Sequence, residues 1–142
     1  MHNSSVAKNE SLADSLRVTS EYADVIVMRH PDDKEAIGAL EAIKGHCAPV
    51  ISGGYGHVTH PTQGLLDSYT CWRAFGDLSK VTVAIATPDL SRARSGQSFA
   101  LALAAMGARI IYTGTSELRT PEVVRQKLQK MGANFEEHFD LT

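Results

Sequence analysis

A glycine-rich turn that runs into a helix is predicted by Tyr55-Gly56-His57-Val58-Thr59-His60-Pro61-Thr62-Gln63-Gly64-Leu65-Leu66-Asp67-Ser68-Tyr69-Thr70. Glycine tolerates positive φ and lets the backbone approach a ligand, and proline suits the first position of a helix. We therefore expect a helix that begins at Pro61 and is capped by His60. Its free N–H groups would attract an anion or a carbonyl oxygen, so His60, Thr62 and Gln63 form a candidate ligand site. A plain strand-to-helix connection without a ligand is the alternative.

Strands and helices alternate along the rest of the chain. Apolar segments at 25–28, 48–52, 81–86 and 109–113 predict strands, and a last short strand at 134–139 completes the alternation. Helical periodicity and end signals predict helices at 10–23, 36–43, 61–75, 97–106 and 120–131. This order is typical of an α/β protein with an open, mainly parallel sheet and helices on both faces. The continuous apolar run at 25–28 is expected to be covered on both faces.

Three polar segments follow successive predicted strands. Arg29 ends the first strand, the turn at 53–60 follows the second, and the loop at 89–94 follows the third. Because ligands bind at the carboxyl ends of strands in such sheets, we expect these segments to line one cleft.

The composition is that of an ordinary globular domain. The 142 residues are 43% apolar and 21% charged, with a net charge of -2 and no run of Lys or Arg, so nucleic acid is not an expected partner. The longest apolar stretch is too short to span a bilayer and no signal peptide is evident, which predicts a cytoplasmic protein without membrane contact. Cys47 and Cys71 are expected to be free thiols, and the histidines lack the spacing of a metal site.

Three segments together resemble the aspartate and ornithine carbamoyltransferases. The first is His-Pro-Thr-Gln at 60–63 together with the residues up to 70. The other two resemble the aspartate enzyme in particular: Glu-Ser-Leu-Ala-Asp-Ser at 10–15, and the segment 22–31, which ends in Arg-His-Pro. The resemblance implies the family's fold, incomplete because the chain is shorter than the family's catalytic subunit. Residues 1–76 would be part of a carbamoyl-phosphate-binding-like domain and 77–142 part of an amino-acid-binding-like domain. Whether these parts form one compact domain or two lobes is open.

The resemblance also implies a reaction and its residues. The family transfers a carbamoyl group from carbamoyl phosphate to the amine of an amino acid such as aspartate, and positioning with electrostatic stabilisation needs no metal or cofactor. Arg29 matches the arginine that contacts the phosphate and carbonyl oxygens; a surface ion pair with Asp32, Asp33 or Glu35 is the alternative. His60 matches the histidine that polarises the carbonyl, and Gln63 the residue that holds the carbamoyl amide.

The acceptor and the neighbouring subunit are implied by two further matches. Arg94 has the offset of the arginine that binds the α-carboxylate of aspartate, with Arg92 as a rival, although Pro88 replaces the family's glycine; a solvated basic loop is the alternative. Lys8 and Ser4 match a lysine and a serine that reach into the next subunit of a trimer. This implies a homo-oligomer, and a disordered tail is the alternative.

The chain departs from the family at the phosphate site. Nothing matches the Ser-Thr-Arg-Thr phosphate loop, and each charge-assisted hydrogen bond lost with it is worth about 1.5 to 3 kcal/mol. We predict an aspartate carbamoyltransferase-like protein that binds an amino acid or a carbamoyl-type anion, with weak or partner-dependent transferase activity. Two alternatives stay open: a noncatalytic assembly or regulatory module that docks onto itself or a full-length carbamoyltransferase, and a fragment of a longer enzyme.

Overall fold

The computed structural model describes residues 10–56 and 60–139. The elements, in chain order, are α1 (Leu12–Ser20), β1 (Ile26–His30), α2 (Asp33–Ile43), β2 (Val50–Tyr55), α3 (Pro61–Phe75), β3 (Thr82–Ala86), α4 (Arg94–Ala105), β4 (Arg109–Gly114), α5 (Glu122–Lys130) and β5 (Phe135–Phe139). A short 3-10 turn precedes β3. Each predicted strand and helix is present, and all paired strands are parallel, which confirms the α/β class.

The chain divides into two compact units, Met1–His57 and Val58–Thr142. The first contains a two-stranded sheet of β1 and β2, and the second a three-stranded sheet in the order β3-β4-β5. The predicted open sheet is thus two separate sheets in the described residues. Helix α3 belongs to the second unit, whereas the prediction counted it with residues 1–76. The assignment of 1–76 and 77–142 to the two binding functions stays a prediction.

The core of the first unit lies on one face of its sheet. Ile26 and Met28 of β1 are buried there with the helical residues Leu16, Ala36, Ala39 and Ile43. Val27 points to the other face and is 71% exposed. Its partner in the neighbouring strand, Ile51, is 45% exposed. The expectation that this strand is covered on both faces is therefore wrong for the described structure. Successive side chains of a strand alternate between faces, and only one face meets helices here.

The core of the second unit is built around α4 and β4. Ala100 and Leu103 of α4 are fully buried, as are Ile110 and Tyr112 of β4. Residues of β3 and β5 on the same face complete the cluster, as do Leu78, Leu90, Val124 and Leu128. Burial also raises the pKa of Tyr112 far above its ordinary value, so its hydroxyl stays protonated.

The described segments contain no helix with the length and apolar character that a membrane crossing requires. Cys47 and Cys71 are free thiols, as predicted.

Candidate functional site

His60 caps helix α3, as predicted. Its Nδ1 accepts a hydrogen bond of 3.3 Å from the backbone N–H of Gln63, and the hydroxyl of Thr62 lies 3.3 Å from the same nitrogen. Because Nδ1 accepts the Gln63 N–H, a neutral imidazole carries its proton on Nε2. The cap therefore sets the orientation of the ring and, for a neutral imidazole, leaves Nε2 as the nitrogen that carries the proton.

Gln63 is oriented by an acidic residue one turn further along α3. Its Nε2 donates to Oδ1 of Asp67 at 2.9 Å. Asp67 was not among the predicted site residues, although a Gln and an Asp four positions apart on a helix are expected to pair. The half-buried residues His60, Thr62 and Gln63 thus lie together at the start of α3.

The second turn of α4 packs directly against the start of α3. The backbone N–H of His60 donates to Oγ of Ser98 at 2.9 Å. Gly64 lies so close to this turn that a β-carbon at its position would fall 2.7 Å from the carbonyl carbon of Ser98. The two helices therefore begin side by side. Sequence analysis missed Ser98 because it is 38 residues away from His60 and no local pattern marks the contact.

Arg94 is the first residue of α4, so it lies one helical turn before Ser98. His60 and Arg94 thus lie at the starts of two neighbouring helices of the second unit. Arg92, its rival, lies in the loop just before α4, with its side chain exposed. An arginine at such a place can bind a carboxylate with two parallel hydrogen bonds.

The loop before α4 is a hydrogen-bonded turn in which Ser91 and Arg92 are exposed. Oδ1 of Asp89 accepts bonds from the hydroxyl of Ser91, at 2.5 Å, and from the backbone N–H of Arg92, at 3.2 Å. The Ser91 bond is the main reason why the pKa of Asp89 lies below its ordinary value, with partial burial opposing it and the Arg92 N–H assisting. Asp89 is therefore ionised at neutral pH and holds the turn that leads to the two arginines.

Comparison with known sequences identifies the family. The sequence model of the aspartate/ornithine carbamoyltransferase carbamoyl-P binding domain matches residues 1–73. The chain belongs to this family.

Curated relatives in the carbamoyltransferase family match nearly the whole chain. The ureidoglycine carbamoyltransferase of Rubrobacter xylanophilus is 48% identical over 139 residues, which are 97% of this chain and 40% of the relative. The aspartate carbamoyltransferase catalytic subunit of Methanopyrus kandleri is 41% identical over 137 residues, 96% of this chain and 43% of the relative. The chain therefore spans less than half the length of these carbamoyltransferases.

Solved aspartate transcarbamoylases share the fold. The enzyme from Trypanosoma cruzi, in complex with aspartate and phosphate, gives a TM-score of 0.83 at 31% identity, over 98% of this chain and 45% of that one. The catalytic subunit from M. jannaschii gives a TM-score of 0.78 at 38% identity, over 98% of this chain and 44% of that one. The incomplete carbamoyltransferase fold expected from the sequence is thereby confirmed.

Arg29 lies in β1 of the first unit and is exposed. The carboxylate of Glu35, one of the expected ion-pair partners of Arg29, lies instead 3.7 Å from Nε2 of His30 within the described residues. His60, Gln63 and Arg94 all lie in the second unit. The convergence of Arg29 with them stays a prediction.

The predicted trimer contacts are not tested by the described structure. Lys8 and Ser4 lie outside the described residues. Across residues 10–56 and 60–139, no group of three or more His, Cys, Asp or Glu side chains is placed to hold a metal ion.

Proposed function

We propose that this chain binds carbamoyl phosphate at the start of α3 and supports transfer of its carbamoyl group to an amine. The observation that carries this proposal is the cap at His60, where Nδ1 accepts from Gln63 N–H and Nε2 is left as the donor. A carbonyl oxygen that gains negative charge during attack is stabilised by such a fixed donor and by the positive end of the helix.

The reaction needs only positioned neutral and cationic groups. The amine nitrogen attacks the carbonyl carbon, and phosphate leaves with the electrons of the C–O bond and takes up the proton that the amine nitrogen loses. Nε2 of His60 donates to the carbonyl oxygen, and the carboxamide of Gln63, held by Asp67, orients the carbamoyl amide. Thr62 in the same turn contributes polar contacts, and the guanidinium of Arg29 neutralises the phosphate.

For the acceptor we propose an amino acid that Arg94 holds by its carboxylate, with Arg92 as the alternative. Two relatives support this class by their names: one acts on ureidoglycine and the other on aspartate. Both compounds carry an amine and a carboxylate, so one arginine suits either. The higher identity to the ureidoglycine enzyme, 48% against 41%, makes ureidoglycine an acceptor to test beside aspartate.

The proposed activity is weak in the isolated chain or depends on a partner. The chain lacks the Ser-Thr-Arg-Thr phosphate loop and spans 40% to 45% of its relatives. The missing donors would come from a further segment or a second carbamoyltransferase chain. Lys8 and Ser4 would act in such an assembly, across a subunit boundary.

A transfer assay tests the phosphate contact. We expect Arg29→Ala to lower the rate of carbamoyl transfer to aspartate or ureidoglycine by about 10-fold to 100-fold, because a charge-assisted hydrogen bond is lost. Product is measured by mass spectrometry against a protein-free blank. The chain is assayed alone and with an inactivated full-length aspartate carbamoyltransferase catalytic subunit.

Arg17→Ala is the matched control, since Arg17 is an exposed arginine of the same unit that pairs with Asp14. It should leave the rate unchanged. Equal rates in Arg29→Ala and the wild-type chain would remove Arg29 from the site. The absence of transfer above the blank in both settings would contradict the proposed catalytic role.

A noncatalytic assembly module is the second candidate, and one exposed surface favours it. Apolar side chains of α3 remain uncovered, with 64% of Leu65, 56% of Tyr69, 48% of Trp72 and 66% of Phe75 exposed. The rings of Tyr69 and Trp72 stack with their centroids 5.8 Å apart. Contiguous apolar patches of this kind mark association surfaces, so we propose a homo-oligomer, with the family's trimer as its form.

Light scattering tests the assembly. The wild-type chain should exceed its monomer mass of 15.3 kDa, and Trp72→Lys should shift it toward that mass because it places a charge in the apolar patch. Val123→Lys on α5 is the control, since Val123 is 52% exposed in the same unit and lies outside the patch. A monomeric wild-type chain would contradict the oligomer, and an unchanged mass for Trp72→Lys would remove this surface from it.

A further inference from the structure

Gln97 is a buried polar residue in the first turn of α4 that the proposed site does not use. Its side chain is enclosed, with the residue only 3% exposed. The amide Nε2 donates to two successive backbone carbonyls, those of Leu90 and Ser91, each at 3.2 Å. Buried polar groups in proteins are normally hydrogen-bonded, and these two bonds satisfy the donor group of Gln97. They also link Gln97 to the loop before α4.

These two carbonyls belong to the turn that leads to the arginines. Leu90 is 1% exposed, and its N–H donates to the carbonyl of Leu118 at 3.0 Å, which fixes this end of the turn. Asp89 closes the turn by accepting from the backbone N–H of Arg92. Gln97 holds the turn from the helix side.

Helix α4 begins without a capping side chain. The residue before it is Ala93, whose methyl group cannot accept a hydrogen bond. The position of the chain entering the helix is therefore set by the contacts of the preceding turn. The two bonds from Gln97 reach back over this helix start from one turn inside it.

We propose that Gln97 is a positioning residue for acceptor binding. Its carboxamide fixes the segment that presents Arg92 and Arg94, so that one of these guanidinium groups meets the acceptor carboxylate. Gln97 does not touch the acceptor and acts through the carbonyls of Leu90 and Ser91. The inference rests on the proposed function and adds to it the side chain that shapes the acceptor subsite.

Two variants remove the donor in different ways. Gln97→Glu keeps the size but sets a carboxylate against two carbonyl oxygens, and Gln97→Met keeps the length without charge. In either variant the Kd of aspartate or ureidoglycine should rise about tenfold, while the Kd of carbamoyl phosphate stays within about twofold. Calorimetric titration of the full chain measures both constants. A general loss of structure would weaken the binding of both ligands. A rise in the Kd of the acceptor alone therefore identifies Gln97 as a positioning residue.

Hydrogen exchange measures the restraint without any ligand. The backbone N–H groups of Leu90 and Arg92 should exchange about tenfold faster in Gln97→Met, whereas that of Leu103 in the middle of α4 should not change. Gln129→Glu on the exposed face of α5 is the control, and we expect wild-type values from it in both experiments.

The outcomes separate the two proposals. A wild-type chain that binds neither aspartate nor ureidoglycine contradicts the proposed acceptor, and the exchange rates then still decide whether Gln97 restrains the turn. A wild-type chain that binds an acceptor, with the same Kd in Gln97→Glu and Gln97→Met, overturns the inference about Gln97. Unchanged exchange at Leu90 and Arg92 overturns it as well.

Discussion

Gly64→Ala should lower the free energy of unfolding of the second unit by about 3 kcal/mol, because it forces backbone atoms apart. The new β-carbon would lie 2.7 Å from the carbonyl carbon of Ser98, 2.8 Å from its oxygen and 2.9 Å from the nitrogen of Phe99. No side-chain rotation relieves contacts with a backbone, so α3 and α4 must separate. The hydrogen bond from His60 N–H to Ser98 would then be strained or lost. Urea unfolding followed by the fluorescence of Trp72 on α3 measures the change.

Gly38→Ala provides the matched control for this experiment. Gly38 lies within α2, and a β-carbon there meets nothing within 4 Å. Alanine is the better helix former, so this variant should gain about 0.5 to 1 kcal/mol of stability in the first unit, measured by circular dichroism. The Trp72 transition, which reports on the second unit, should stay at the wild-type urea concentration. If Gly64→Ala unfolded at the wild-type urea concentration, the close approach of α3 and α4 would not depend on glycine.

Removal of the imidazole at residue 60 should have the largest effect on activity. We expect His60→Asn to lower the rate of carbamoyl transfer by about 100-fold to 1,000-fold, as is typical when a fixed donor to a developing oxyanion is removed. Asparagine retains an oxygen that can cap α3, so the fold should persist. Initial rates at saturating carbamoyl phosphate, with circular dichroism as a check of folding, measure the effect.

His46→Ala is the control for this loss, since His46 is an exposed histidine in the other unit. It should transfer at the wild-type rate. A His60→Asn chain that folds and transfers as fast as the wild-type chain would show that Nε2 of His60 has no part in the reaction.

Local signals were enough to predict the elements and the cap of α3. Pro61 preset the first turn of α3, and the cap at His60 follows from a histidine directly before it. The bond between Gln63 and Asp67 was also within reach of sequence analysis, because the spacing of four residues was visible. Signals of this kind act over a single helical turn.

Long-range packing decided what sequence analysis missed. The apolar run that includes Val27 gives no indication of which sheet face will meet a helix, and the division into two sheets depends on the pairing of whole strands. The contacts of Ser98 and Gln97 likewise arise only when α4 packs beside α3 and the preceding turn folds back over it. Neither the residue types nor their spacing in the sequence predicts such contacts.

The most direct test of carbamoyl phosphate binding is a titration followed by NMR of the histidine side chains in the ¹⁵N-labelled chain. His60 should show the tautomer with its proton on Nε2 in the free chain, and the Nε2 resonances should shift as carbamoyl phosphate is added, while those of His46 do not move. A proton on Nδ1 of His60, or His60 resonances that stay in place up to saturating carbamoyl phosphate, would contradict the proposed site.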